Sequence, residues 1–221
     1  MMKKYDTVVF DLDGTLLNTL EDLADSVNYI LNSHGFPCRT TEEIRSFLGN
    51  GVTDLIKRSI SQPLESIEYQ TYISEFCEHY SKNMQNKTRA YEGIMELLEQ
   101  LSKEHYKLAI VSNKFDKAVK QLNEVYFGKY IKVAIGESKG VLKKPAPDTV
   151  LKAIEELKTT TDKTVYVGDS EVDVRTAKNA GIICVGVTWG FRDREVLEKE
   201  GADYIIDKPQ ELLELLKQKL A

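Results

Sequence analysis

The stretch Thr7-Val8-Val9-Phe10-Asp11-Leu12-Asp13-Gly14-Thr15 joins a run of β-branched and aromatic residues to two aspartates and a glycine. An apolar run without polar alternation marks a strand buried on both faces, as in a parallel sheet. Comparable runs occur at 108–111, 164–167 and 182–187, with weaker, edge-like candidates at 133–135 and 204–206. Between them, apolar residues recur at one-face helical spacing: Ile94, Leu97, Leu98 and Leu101, then Val150, Leu151, Ile154 and Leu157, and last Leu212, Leu213, Leu216 and Leu220. Strand alternating with helix predicts an α/β fold with a Rossmann-like, doubly wound parallel sheet.

Residues 18–84 break that rhythm. They hold helical faces (Leu20, Leu23, Ala24, Val27, Ile30 and Leu31, later Tyr69, Tyr72, Ile73, Phe76 and Tyr80) and no convincing strand. Leu48-Gly49-Asn50-Gly51 separates two shorter helical patterns between them. An all-helical unit at 18–84 is therefore expected as an insertion, with the α/β core formed by 1–17 and 85–221. The chain re-enters the core pattern near Ala90-Tyr91-Glu92-Gly93.

With 42% hydrophobic residues the chain can build a buried core, and its formal net charge of -5 disfavours nucleic-acid or acidic-membrane partners. The start, Met1-Met2-Lys3-Lys4-Tyr5-Asp6, lacks the apolar segment of a signal peptide, and no stretch is long enough to span a bilayer. Cys38, Cys77 and Cys184 form no CxxC pair and read as reduced, mostly buried thiols of a cytoplasmic protein. His34, His79 and His105 fall in helical stretches away from the motifs and form no metal triad.

Ligands of open parallel sheets bind beyond the carboxyl ends of the strands. Asp11 and Asp13 follow the first strand, with Gly14 allowing a tight turn. Gly168-Asp169-Ser170 follows a second strand, with Asp173 one helical turn on. Taken singly, each aspartate reads better as a helix cap or turn residue. Together they bring carboxylates to one edge, which implies a hard divalent cation, and Mg²⁺ suits an all-oxygen site. Ser112-Asn113-Lys114 follows a third strand, and Lys143-Lys144-Pro145-Ala146-Pro147-Asp148 offers a cation in a loop stiffened by proline.

These residues, in this order along nearly the whole chain, resemble the haloacid dehalogenase-like hydrolases. Asp11 to Thr15 match that superfamily's Asp-x-Asp-Gly-Thr motif, Ser112 its second, Lys144 before Pro145 its third, and Gly168-Asp169-Ser170 with Asp173 its fourth. The resemblance implies an aspartyl-phosphate formed on Asp11, Asp13 as general acid–base, and Ser112 and Lys144 around the phosphoryl group. It implies Mg²⁺ held by Asp11, Asp169 and the Asp13 carbonyl, with Asp173 near the metal or in contact through water. Gly14, Thr15 and Asn113 would line the substrate site, and the inserted unit would be a helical cap of C1 type. Asp13 argues against dehalogenase and phosphonatase chemistry. Leu23, Val52 and Thr53 stand where the related sugar-phosphate mutases carry a His and an Arg.

Ser112-Asn113-Lys114, Lys144-Pro145-Ala146-Pro147-Asp148 and Val187-Thr188-Trp189-Gly190-Phe191 look like the phosphoglycolate phosphatase branch. In that branch the cap loop, here Gly49, Asn50 and Gly51, lies over the active site; a plain inter-helix turn reads equally well. The expected substrate is a small phosphorylated metabolite, phosphoglycolate first. Pyrophosphate, nucleoside monophosphates and sugar phosphates are alternatives, and a monomer or homodimer is expected. A catalytically inert phosphate sensor on this fold is the competing class. A receiver domain fits less well, being about half this length and lacking the insertion.

Overall fold

The protein is described by a computed structural model covering residues 4–60, 62 and 65–218. The expectations that fall on Met1, Met2, Lys3 and Leu220 lie outside the described residues. The chain divides into two compact units, one of Met1–Leu17 with Ala90–Ala221, the other Asn18–Arg89. In chain order the strands are β1 (Thr7–Phe10), β2 (Leu17–Asn18), β3 (Arg89–Ala90), β4 (Lys107–Phe115), β5 (Val133–Glu137), β6 (Thr164–Gly168), β7 (Ile183–Val187) and β8 (Tyr204–Ile206). The two-residue strands β2 and β3, which carry no pattern in the sequence, pair with each other.

In the first unit a six-stranded sheet runs β5-β4-β1-β6-β7-β8, with parallel pairing throughout. The edge candidates β5 and β8 do lie at the edges. All four β1 residues are buried, as a strand covered on both faces requires. One face packs Val9, Ala109, Val111, Tyr166 and Cys184 against Val150, Ala153, Ile154, Val174, Ala177 and Leu197. The order of strands reverses at β1: the chain fills β4 and β5 on one side of it and then crosses to β6, β7 and β8 on the other, and such a switch point opens a crevice at the carboxyl ends. Phe10 is level with both Ile110 and Val167, so Asp11 emerges beside Val111 and Gly168.

Several sequence expectations change. β4 does not stop at Val111: it continues through Ser112, Asn113 and Lys114 to Phe115, with a register shift before Phe115 pairs with Glu137. Leu151 is 43% exposed, because Ala153 and not Leu151 completes the buried face with Val150 and Ile154. Of the cysteines only Cys184 is buried; Cys38 is exposed.

The second unit holds α1 (Leu20–Ser33), α2 (Thr41–Phe47), α3 (Val52–Ser59) and α4 (Ser66–Asn83). Thr40 and Glu43 close a capping box on α2, and Gly49 and Gly51 sit at positive φ in the loop before α3. Lys57 and Arg58 are exposed. His34 follows α1 in a turn and pairs with Glu75 at 2.6 Å, while His79 stacks on Tyr29 with ring centroids 4.0 Å apart. Asp22, buried on α1, accepts the backbone N–H of Lys87 at 3.0 Å and that of Thr88 at 2.9 Å. That carboxylate ties the chain beyond Met84 to the helical unit, and the division falls at 89/90 rather than the expected 84/85.

The remaining helices belong to the sheet unit: α5 (Ile94–Lys103), α6 (Asp116–Tyr126), α7 (Asp148–Glu156), α8 (Glu171–Ala180), α9 (Arg194–Glu200) and α10 (Gln210–Gln218). His105 lies in the turn after α5 at φ 60°, not in the helix. No helix among the described residues is long and apolar enough to cross a membrane. Asp22→Ala would remove the acceptor of the part-buried Lys87 N–H and of the buried Thr88 N–H, the buried donor costing about 1–3 kcal/mol. Urea denaturation should show a loss in that range, smaller for Asp22→Asn, which keeps one oxygen.

Candidate active site

Asp11 leaves the end of β1, and its own N–H still donates to the Val167 carbonyl at 2.9 Å, so the sheet ladder fixes its backbone. Asp11 is buried, and its carboxylate meets Lys144 Nζ at 2.8 Å. The same Nζ donates to Asp173 Oδ1 at 2.7 Å and to the Tyr166 hydroxyl at 3.0 Å. Lys144 is held at its backbone as well: Asn113 Nδ2 donates to its carbonyl at 2.9 Å, and its N–H donates to Asn113 Oδ1 at 2.7 Å. The Asn113 amide thus fastens the lysine loop to β4.

Asp173 uses both carboxylate oxygens. Oδ1 accepts from Lys144 and from Tyr166, the latter at 2.9 Å. Oδ2 accepts from the Ser170 N–H at 3.0 Å and hydroxyl at 2.6 Å, within a capping box at the start of α8. Asp169 accepts from the Thr15 hydroxyl at 3.1 Å through Oδ1 and from the Phe191 N–H at 2.7 Å through Oδ2. Thr15 therefore supports Asp169 with its side chain. A Cβ at Gly190 would run into Asp169 and the Gly14 carbonyl, and Gly14 itself adopts φ 87° against the same carboxylate. Trp189 Nε1 closes this wall on the Thr15 carbonyl at 3.0 Å.

Asp13 is held apart from Asp11. Both its oxygens meet Lys114 Nζ, at 3.0 and 2.9 Å, with the Lys114 side chain 4% exposed. Ser112 Oγ accepts the Lys114 N–H at 3.2 Å. Lys114 and Tyr166 are the site residues that sequence reasoning missed. Lys114 stood in the quoted Ser-Asn-Lys triplet, and Tyr166 was the hydroxyl-bearing ring within the apolar run 164–167. Gly49, Asn50 and Gly51 belong to the helical unit.

The electrostatics follow from burial. Desolvation raises the Asp11 carboxyl well above its ordinary range, with Asp173 and Asp169 adding to the effect against the pull of Lys144. Asp169 rises from 3.8 to about 7, mainly through burial and then the charge of Asp173. Burial works against ionising Asp173 as well, but the Lys144 ammonium and the hydrogen bonds around it win and hold its carboxyl low. Burial alone would lower Lys144; Asp11 and Asp173 raise it instead. Ligand atoms of Asp11, Asp169 and Asp173 lie within 4.8 Å of one another. With the Asp173 oxygens engaged by hydrogen bonds, Asp11 and Asp169 supply the hard oxygen donors that fit a divalent cation.

Fold and site together define a hydrolase with a strand-end aspartate beside a buried lysine. The model of the family described as haloacid dehalogenase-like hydrolase matches residues 8–187. A phosphoglycolate phosphatase of Vibrio parahaemolyticus is 31% identical over 95% of both chains, and one of Mesorhizobium japonicum is 32% identical over 87% of both. The solved structure of a predicted phosphoglycolate phosphatase from Haemophilus somnus superposes with a TM-score of 0.90 at 28% identity, covering 97% of this chain and 99% of that one. The chain belongs to the haloacid dehalogenase-like hydrolases and is an enzyme of its phosphoglycolate phosphatase-like branch.

A carboxyl raised on folding stabilises the fold fully below its unfolded pKa, and that contribution is lost as pH rises through the folded value. In the presence of a chelator, Asp169 should therefore lower stability as pH rises from about 4 to about 7. Urea midpoints across this window should fall, and Asp169→Asn should flatten the slope.

Proposed function

We propose that the protein is a Mg²⁺-dependent phosphatase of small phosphomonoesters, acting through an aspartyl-phosphate on Asp11, with phosphoglycolate as the first candidate substrate. The observation that carries this reading is the separate holding of two carboxylates two positions apart, Asp11 on Lys144 and Asp13 on Lys114. Two acids with different partners can take different roles. The likeness to phosphoglycolate phosphatases supports the substrate class.

Asp11 Oδ1 stays on Lys144, and the other oxygen attacks phosphorus in line as the P–O ester bond breaks. Asp13 gives its proton to the departing alkoxide, then takes one from the water that attacks phosphorus and releases phosphate from Asp11. Ser112 Oγ accepts from the Lys114 N–H and keeps its own proton to donate to a phosphate oxygen. Lys144 offsets charge on the nucleophile and phosphoryl group. Mg²⁺, held by Asp11, Asp169 and the Asp13 carbonyl, would supply charge neutralisation and Lewis acidity. Asp173 supports Lys144 rather than ligating the metal. The helical unit, with Gly49, Asn50 and Gly51, is proposed as the cap that selects substrate, in a cytoplasmic enzyme.

Phosphate release from an aryl phosphate and from a panel of phosphoglycolate, pyrophosphate, nucleoside monophosphates and sugar phosphates tests this reading. Activity should require Mg²⁺, and Asp11→Asn should lower kcat by at least about 10³-fold. Asp13→Asn should lower it by about 10²–10⁴-fold. If wild type is as silent as Asp11→Asn on every substrate, the protein is an inert sensor instead.

A further inference from the structure

Lys144 already serves Asp11 and Asp173, yet the site buries a second ammonium. Lys114 is 6% exposed as a residue, and its Nζ lies against both oxygens of Asp13. Its place is set by the continuation of β4, by its N–H on Ser112 Oγ, and by the neighbouring Asn113 fastened to the Lys144 backbone. Taking an ammonium out of water is costly unless an anion meets it. The two lysines divide the site: one beside the nucleophile, the other beside the carboxyl that faces the departing oxygen.

We propose that Lys114 is a specificity-determining residue that reads an anionic group on the leaving side of the substrate, a carboxylate one carbon from the ester oxygen. This rests on the reading above, in which Asp13 serves the leaving group. The reach is adequate. A departing oxygen must come within about 3 Å of the Asp13 carboxyl to receive its proton. Lys114 Nζ lies 2.9 Å from that carboxyl, on the same scale. A carboxylate joined to the ester oxygen through one methylene extends about 3 Å beyond it, enough to bridge to the ammonium. A lysine head is a compact charge on a flexible stem with rotatable donors, so it can turn from Asp13 to share itself with the arriving carboxylate. A leaving group without that charge gains no such partner.

The test compares kcat/KM for 2-phosphoglycolate and for ethyl phosphate, which matches it in length without the carboxylate. Wild type, Lys114→Met and Lys114→Arg are assayed with Mg²⁺, with Tm measured for each. Wild type should prefer phosphoglycolate by at least about tenfold, a typical scale for one charge-assisted hydrogen bond. Lys114→Met should lower that ratio by about tenfold or more, and Lys114→Arg should retain a larger part of it. Loss of the Asp13 partner affects both substrates, so it cancels in the ratio. The proposal is overturned if the two substrates fall by one common factor in Lys114→Met. It is also overturned if wild type shows no preference, a result that needs no variant to fold. Wild type inactive on both substrates and on the aryl phosphate would instead overturn the phosphatase reading itself.

Discussion

One ammonium group, Lys144 Nζ, holds the site together. It joins Asp11 after β1, Tyr166 on β6 and Asp173 on α8 within 2.7 to 3.0 Å, while its own backbone is fastened to Asn113 on β4. Removing an ion pair's partner from a buried site leaves an uncompensated charge, which is strongly destabilising. The position of Lys144 is therefore a condition of the fold around the strand ends as well as of its chemistry. Tyr166 shows how tight the arrangement is, since its phenol is pushed well above its ordinary range by burial and then by the charges of Asp173 and Asp11.

Around this centre the supporting bonds have their own logic. Asp173 is saturated, each oxygen accepting two donors, and so acts by fixing Lys144 and the start of α8. Asp169 is held by one hydroxyl and one backbone N–H, from Thr15 and Phe191, which orient it without neutralising it. The glycines at 14 and 190 let two backbone segments close on the same carboxylate where a Cβ would collide. Asp169 is thus oriented by hydrogen bonds in a buried place beside another raised carboxyl, and the two could hold a cation between them.

Much of the sheet was legible because buried parallel strands are apolar without interruption, and β1, β6 and β7 obey that rule. The continuation of β4 through Ser112, Asn113 and Lys114 was not, because its polar side chains serve the site and erase the strand pattern. Leu151 was misplaced because both Leu151 and Ala153 fit a helical stripe, and only the neighbouring helices and strands decide which is covered. The carboxylates Asp11, Asp13 and Asp169 could be read from their places at strand ends. Their partners could not: Lys114 and Asp13 are 101 residues apart, and no local pattern records such a pairing. Asp22 was hidden for the same reason, being one polar residue on an apolar helix face whose acceptor role depends on chain 65 and 66 residues away.

A formal net charge of -5 does not argue against an anionic ligand, because net charge describes the far field and not the crevice. Within the site the four aspartates at 11, 13, 169 and 173 face the two buried lysines, at 114 and 144. One divalent cation would bring that set to formal neutrality. On the proposed reading the local balance then no longer opposes an incoming phosphate, and each lysine would stand beside a different part of the ester. Lys144 lies on the nucleophile side and Lys114 on the side of Asp13. On the proposed reading an acidic chain could therefore take a doubly charged group, since a neutralised crevice no longer repels it and its enclosed cations act in a low dielectric, where screening by salt is weakest.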